Sequence, residues 1–522
     1  MALILQLIYI IPNRIQLVNT RGVHAMAEKV WFGNDRWPSG RNLGEFAKDI
    51  FRIEHCKTDR DKALTFYKWI IRCFMRGPNF QVPDGFGTYS RSFDPIKMLT
   101  SFGHFECTGW GWVPAEALQA AGLKARRVVG QNDGHTIYEV FYKGLDGKEG
   151  WHAFDAFIGW YFLNRSGEVA SCEELTADPN LVHDPVGQAV PNTYNVDMAF
   201  LPKRHDWGDA LDIIQHVKNE TLSYDIKPGM EYANLFEPAD PSKILYCGEN
   251  YPRGSHCHIV EFDHTGAVLY PEHEPYWHNY RHNFHDTSWE GSERPARSHG
   301  AGALRWNPLL YGKNATAWAD YACFENNRVR PDGRNKHCEI WYEFKLPYFV
   351  SYLQVEGFAR VSGSDYMGVG ISSDNGKTIA PLKTDIKGNF RFLNGPEDFK
   401  ARKTSVQYTT HFHVRIDMHG HGAILPTLES LRFTVGYQHN MFTQPFLLPG
   451  KNRIWLEGAA LSDAALSARW NYTCKGDAGC CEVMLAKEGR AEKEIILPIE
   501  KQEDLTLRGV VLTSWMKPLN GR

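Results

Sequence analysis

The length, composition and charge of the chain exclude several classes of protein. Its 522 residues are enough for three or four domains at about 150 residues each. The formal net charge is −3 and the Lys and Arg residues are dispersed, so we predict neither a nucleic-acid partner nor a membrane partner.

Aromatic residues and cysteines give weaker indications. Aromatic residues make up 13% of the chain, with 16 Trp, and such a surplus often lines grooves for glycans or peptides. The 11 cysteines are odd in number and lack the regular spacing of a disulfide framework. We therefore expect a mostly reduced set, which favours the cytoplasm over secretion.

Residues 1–41 are interpreted as an N-terminal extension. The apolar run that ends at Pro12 is too short to span a bilayer. It lacks a basic flank for a signal peptide, although Ala25 and Ala27 would suit a cleavage site. We favour Met26 as the true start over a signal peptide.

Residues 42–189 are predicted to form an α+β domain. "LGEFAKDIFRI" and "DRDKALTFYKWIIRCFMRG" have helical periodicity, and Asp59 or Asp61 can cap the second helix. A third helix, "VPAEALQAAG", is expected to stop at Gly122. "KARRVVGQ", "HTIYEVFYK" and "GWHAFDAFIGWYFL" then read as strands, the last two joined by the hairpin connection "GLDGKEG". Three helices should therefore precede a small antiparallel sheet.

The rest of the chain divides into two parts. Residues 190–335 are a turn-rich segment with many His and aromatic residues. Residues 336–522 contain repeated short strands separated by Gly, Pro and Asn turns, which predicts a C-terminal antiparallel β-sandwich or jelly roll. Within it, the Asp and Gly of "SSDNGKTI" are expected to build a turn.

Cys107 is the strongest candidate for a reactive group. It directly precedes helix-forming sequence, and the positive end of a helix dipole lowers the pKa of a thiol. A cysteine nucleophile also needs a base and a group that orients the base. His135, at the start of a predicted strand, and Asp155, across the hairpin, can supply these two roles because ends of paired strands lie side by side.

These motifs resemble the transglutaminase-like superfamily of cysteine enzymes over residues 42 to about 170. "ECTGW", "AGLKARRVVG", "GHTIYEVFY" and "GWHAFDAF" occur in the order of that family's motifs. The resemblance implies a papain-like arrangement of Cys107, His135 and Asp155, which the family uses in transglutaminases, proteases and peptide:N-glycanases. Thr108-Gly109 and Thr136-Ile137-Tyr138 depart from the family pattern, so the acyl donor and acceptor stay open.

Residues near this trio receive other roles. Trp110 is a candidate substrate contact. Glu139 and Trp151 are expected to be structural, and His152 should lie on the opposite strand face from Trp151.

The middle segment suggests an alternative chemistry. Tyr280, Arg281, His282 and His285 would suit a polysaccharide lyase, in which Tyr or His removes a proton beside a uronate carboxylate held by Arg. A zincin site at "HEPYWH" is rejected because the histidines are five apart and Pro275 interrupts the helix. In "HFHVRIDMHGHG", alternation places His411 and every second residue on one strand face, which we interpret as solvated or inter-domain.

The leading hypothesis is a transglutaminase-like domain, followed by β-sandwich modules, that hydrolyses or transfers an amide acyl group of a peptide or glycan-linked substrate. A polysaccharide lyase on the same fold is the first alternative, and a non-catalytic scaffold that binds glycans or proteins is the second. No cofactor and no metal are expected, and the sequence leaves the oligomeric state open.

Overall fold

Antiparallel sheets make up most of the protein. The computed structural model describes residues 27–73, 75–76, 95–102, 104–105, 107–129, 136–156, 161–183, 221–238, 299–310, 317–374, 376–395, 398, 404–459 and 464–516. No helix in these ranges is long and apolar enough to cross a membrane.

The part up to residue 183 mixes helices with short strands. Its elements are β1 (Ala27–Asn34), α1 (Leu43–Ile53), α2 (Asp59–Cys73), β2 (Met75–Arg76), α3 (Pro95–Lys97), a π-helix (Met98–Phe102), β3 (His104–Phe105), α4 (Cys107–Ala120), β4 (Lys124–Val129), β5 (Thr136–Lys143), β6 (Glu149–Phe154), α5 (Cys172–Ala177) and α6 (Asn180–His183). The strands β4, β5 and β6 form an antiparallel sheet in that order.

From residue 224 onward the described elements are strands, apart from two short 3-10 helices. The strands are β7 (Tyr224–Ile226), β8 (Met230–Pro238), β9 (His299–Trp306), β10 (Trp318–Asp320), β11 (Ala322–Glu325), β12 (Arg328–Pro331), β13 (His337–Lys345), β14 (Val350–Arg360), β15 (Tyr366–Ser372), β16 (Ala380–Lys383), β17 (Gly388–Asn394), β18 (His411–His419), β19 (Thr427–Asn440), β20 (Gly450–Ala459), β21 (Ala464–Cys474), β22 (Asp477–Leu485), β23 (Gly489–Leu497) and β24 (Leu505–Met516). The 3-10 helices are Met441–Thr443 and Gln502–Asp504.

Local signals set the helix ends. The Thr58 hydroxyl accepts from the Asp61 N–H, while the Asp61 carboxylate accepts from the Thr58 N–H, so the two residues form a reciprocal cap before α2. Helix α4 stops before Gly122, whose φ of +98° suits glycine. The Leu123 N–H then returns to the Leu118 carbonyl, which satisfies a terminal helix acceptor.

A sandwich forms from two facing sheets. One sheet has the order β10-β13-β18-β15-β16, and the other is a ten-stranded sheet that contains β8, β9, β19 and β24. The Trp306 ring of β9 lies 5.6 Å from Tyr342 and 5.7 Å from Phe344, both on β13. Phe433 of β19 lies 5.1 Å from each of the same two rings. These aromatic contacts close the core between the sheets.

The ten-stranded sheet joins distant parts of the chain. Strand β9 pairs with β19, and β8 pairs with β24. Strands on both sides of the suggested limit at 335–336 therefore share one sheet. Part of the N-terminal extension belongs to a separate four-stranded sheet, in which β1 pairs with β20 and with β7.

Candidate functional site

The N-terminal end of α4 carries the predicted nucleophile. The helix begins at Cys107, two residues after β3. The side chain of Cys107 and all of His135 lie outside the described residues. The surrounding elements are described, so the positions of the helix, of the first residue of β5 and of Asp155 can be compared.

The strand β19 supports the segment that leads to this helix. The Asn440 side-chain amide donates to the Leu99 carbonyl at 3.0 Å, and the Gln438 amide donates to the Ser101 carbonyl at 3.0 Å. Leu99 and Ser101 belong to the π-helix, a rare form that is frequent at functional sites. The sandwich therefore helps to fix the backbone that enters α4.

Gly111 brings α4 against the start of β5. A Cβ atom at position 111 would lie 2.4 Å from Thr136 Cγ2 and 2.9 Å from the Ile137 carbonyl oxygen. Only a residue without a side chain permits this approach. Gly111 is one helical turn after Cys107, about 6 Å along the axis, so the start of the helix and the start of β5 lie close together.

Asp155 follows the last residue of β6 at the same edge of the sheet. Phe154 pairs with Tyr138, so Asp155 lies beside the neighbouring residue Ile137. Asp155 is half-buried, and Tyr138 is fully buried. Burial raises the pKa of Tyr138 well above its usual value, and the nearby charge of Asp155 adds to that rise.

Glu139 connects several elements around the sheet. Its buried carboxylate pairs with Arg126 at 2.6 Å and accepts the Cys172 N–H at 2.8 Å. The Arg126 guanidinium also lies 3.8 Å from the centre of the Trp151 ring. These contacts connect β4, β5, β6 and the start of α5, so Glu139 and Trp151 have the structural roles expected of them.

His152 is buried on the other side of β6. Its Nδ1 lies 2.6 Å from the Val169 carbonyl and its Nε2 3.3 Å from the Tyr142 carbonyl. The ring also stacks on Tyr142 with 3.7 Å between centroids. Both ring nitrogens therefore lie close to backbone carbonyls inside the fold, and His152 is a packing residue.

The Trp110 side chain does not reach solvent. The Trp110 side chain is 1% exposed and belongs to the hydrophobic core, so we do not retain it as a substrate contact. Burial of this large ring anchors α4 instead. Tyr280, Arg281, His282 and His285 lie outside the described residues.

A second polar cluster lies on the outer side of the five-stranded sheet. We call it the polar face and define it by Glu339, Trp341, Glu343 and Lys345 of β13 with His411, His413, Arg415 and Asp417 of β18. Strand alternation puts the members of each strand on one side, as expected for "HFHVRIDM", and the register pairs the two strands residue by residue. Asp417 is buried and Arg415 is partly buried, so the face is only partly solvated.

Charged groups on the polar face neutralise one another. Arg415 lies 2.8 Å from Asp417 and 3.6 Å from Glu339. At the other end, the Glu343 carboxylate lies 2.8 Å from His411 Nε2. The hydrogen bond with His411 lowers the pKa of Glu343 to about 2, and Lys345 adds to this effect, while burial opposes it.

Sequence reasoning identified the histidines of this face but not their carboxylate partner. His411 and His413 are visible as alternating residues of one strand, whereas Glu343 lies 68 residues before His411. The alternating polar positions of "EIWYEFK" were the available signal. They do not reveal which strand pairs with β13.

Comparisons with known proteins add no functional argument. No protein-family model matches the chain, and no curated protein matches it. Among solved structures, a Ruminococcus gnavus β-glucuronidase is 10% identical with a TM-score of 0.14, and a Lactobacillus rhamnosus β-glucuronidase is 9% identical with a TM-score of 0.16. The matches cover 40% and 42% of this chain, and 36% and 43% of those chains.

Proposed function

We propose that this protein carries out thiol-dependent acyl chemistry on an amide, with Cys107 as the nucleophile, His135 as the base and Asp155 as the group that orients His135. The observation that carries the proposal is the contact of Gly111 with Thr136. It brings α4, one turn after Cys107, close to the residue that follows His135 in the chain. Asp155 lies beside the next residue, Ile137, on the neighbouring strand.

In the chain, His135 directly precedes Thr136, the first residue of β5. The proposal therefore brings the thiol, the imidazole and the carboxylate to one edge of the small sheet. This is the arrangement implied by the resemblance to transglutaminase-like enzymes, and their fold is part of the proposal.

The proposed reaction needs only the chain, the amide substrate and water or a second amine. His135 takes the proton of the Cys107 thiol, and the thiolate attacks the amide carbonyl carbon. The tetrahedral intermediate collapses when the C–N bond breaks and the amine leaves with the proton from His135. Water or a second amine then attacks the thioester, gives a proton to His135 and releases the thiol, which accounts for hydrolysis or transfer.

The start of α4 can stabilise both negative charges of this reaction, the thiolate and the oxyanion. The partial positive charge at the N-terminus of α4 stabilises the thiolate. Backbone N–H groups of a first helical turn have no acceptor within the helix, so they can donate to the oxyanion of the intermediate. Peptides and glycan-linked amides are the proposed substrate classes.

An activated ester tests the nucleophile without knowledge of the natural substrate. With 4-nitrophenyl acetate, we expect acetylation of Cys107, detected by peptide mass spectrometry, and release of nitrophenol. Cys107→Ala should lower turnover at least about a thousandfold, since loss of a nucleophile removes most of a triad's contribution. Cys480→Ser, at an exposed cysteine, is the matched control and should keep full turnover.

The lyase alternative predicts different results. A folded wild-type protein that leaves Cys107 unacetylated would refute the thiol proposal. Release of an ultraviolet-absorbing unsaturated product from a uronate polymer, retained in Cys107→Ala, would favour the lyase. A protein that does neither but binds a glycan would favour the scaffold.

A further inference from the structure

Three potential metal ligands meet on the polar face. His411 and His413 are alternate residues of β18, and Glu343 pairs directly with His413 across to β13. Glu343 Oε1 lies 2.8 Å from His411 Nε2 and 3.8 Å from His413 Nε2. One donor atom from each residue lies within 4.8 Å of the other two.

These separations are close to those of a bound metal ion. Zinc binds imidazole nitrogen and carboxylate oxygen at about 2.0–2.2 Å, so neighbouring ligand atoms of a tetrahedral site are about 3.3 Å apart. The distances of 2.8 and 3.8 Å lie on either side of this value. We propose that Glu343, His411 and His413 bind a divalent transition-metal ion of the zinc class.

The donor set selects the type of ion. Two imidazoles and one carboxylate suit zinc and neighbouring transition metals, whereas magnesium and calcium prefer oxygen ligands alone. Three protein ligands leave a fourth position for water or another small ligand. The side chains of Glu343, His411 and His413 are 30%, 34% and 15% exposed, so an ion can reach them from solvent.

The strands hold the ligands firmly. On the inner side of the same strands, Phe344 stacks on Phe412 with 4.9 Å between ring centroids. On the outer side, the His413 ring lies 6.1 Å from Trp341 and 5.1 Å from His411. Among the described residues, His413 Nδ1 is buried without a hydrogen-bond partner. The ring is therefore not committed to another group through its Nδ1.

Lys345 competes with the metal for the carboxylate. Its ammonium lies 3.1 Å from Glu343 Oε1, and its side chain is 50% exposed. A half-exposed lysine can swing into solvent when a divalent ion takes its place. Removal of this ammonium should therefore strengthen metal binding. If the cluster were only an ion-pair network, the same removal would not strengthen metal binding.

Cobalt titration of the full-length protein tests the proposal. Co²⁺ is the probe because its visible spectrum distinguishes nitrogen and oxygen ligands from the thiolates of the 11 cysteines. We expect one cobalt ion per chain without thiolate charge-transfer absorption. His411→Ala, His413→Ala and Glu343→Gln should each weaken binding at least about tenfold, and Lys345→Met should tighten it.

His419→Ala is the matched control and should bind cobalt as the wild type does. His419 lies on the same strand, six residues from His413 or about 20 Å along it. Glu343→Gln preserves side-chain volume and guards against misfolding, which circular dichroism will check. Absence of bound cobalt, binding that survives all three ligand variants, or no gain in Lys345→Met would overturn the proposal.

Discussion

We call α4 and β4–β6 the helix and sheet unit. It differs from the polar face in how the chain brings polar residues together. In the first, a helix start and two strand ends meet within about 50 residues of chain, between Cys107 and Asp155. In the second, two long antiparallel strands bring together Glu343 and His411 from positions 68 residues apart. The comparison shows that the order of motifs along the chain can indicate a candidate trio. A cluster across paired strands depends instead on contacts between residues far apart in the chain.

The two regions should also fail independently. Variants in the helix and sheet unit should lower ester turnover or stability without a change in cobalt binding. Variants of the metal ligands should weaken cobalt binding without a change in ester turnover. A change that affects both readouts together would show that the two regions are coupled.

The largest effect is expected from Glu139→Ala. It leaves Arg126 without its buried partner and the Cys172 N–H without its acceptor, which should cost about 3–5 kcal/mol of stability. The measurement is the urea midpoint at which the β5 amides lose protection from hydrogen exchange. Glu149→Ala, at an exposed position of the same sheet, should leave the midpoint unchanged.

Gly111→Ala should mainly reduce activity. The new methyl group would meet Thr136 and the Ile137 carbonyl, so α4 must move away from β5. A displacement of about 1 Å can cost roughly a hundredfold in rate, which is the loss expected in ester turnover. The control is Gly150→Ala, where a Cβ atom meets nothing within 4 Å. Equal turnover in both variants would show that the close approach of Gly111 to Thr136 does not affect activity, and the functional proposal would lose its main support.

Glu168 should make the helix and sheet unit sensitive to acid. Burial would raise its pKa, but hydrogen bonds from the Val169 N–H, Arg60 and the Leu145 N–H outweigh burial and lower it. A lowered pKa stabilises the folded state above the usual value near 4.5, and this stability is lost as the pH falls below that value.

Glu168→Gln should therefore lower stability at pH 7 by about 1.5–3 kcal/mol. It should also flatten the loss of stability below pH 4.5. Urea unfolding at several pH values measures both effects. An unchanged pH profile in the variant would show that Glu168 does not contribute in this way.

Gln438→Ala is expected to have the smallest effect. It removes the hydrogen bond from β19 to the Ser101 carbonyl, worth about 1 kcal/mol, and should lower turnover about fivefold. Gln354→Ala on β14 is the control, because that side chain is bonded to Glu356. If the two variants behave alike, the sandwich does not position the backbone before Cys107.

Local features were predictable from the sequence. The stop of α4 at Gly122 and the β5–β6 hairpin depend on neighbours in the chain, and both occur as expected. Long-range contacts were not predictable. Asn440 bonds to Leu99 across 341 residues, and β1 pairs with β20, because tertiary packing selects partners that no local pattern specifies.

The most direct test is the pH dependence of Cys107 alkylation by iodoacetamide, followed for each cysteine by mass spectrometry. The account predicts that Cys107 reacts with an apparent pKa well below the usual 8.5 of a free thiol. Cys172 is the internal control, because burial and then the nearby Glu139 raise its pKa well above the ordinary value. A Cys107 that reacts only above pH 8.5, or no faster than the exposed Cys480, would contradict the account.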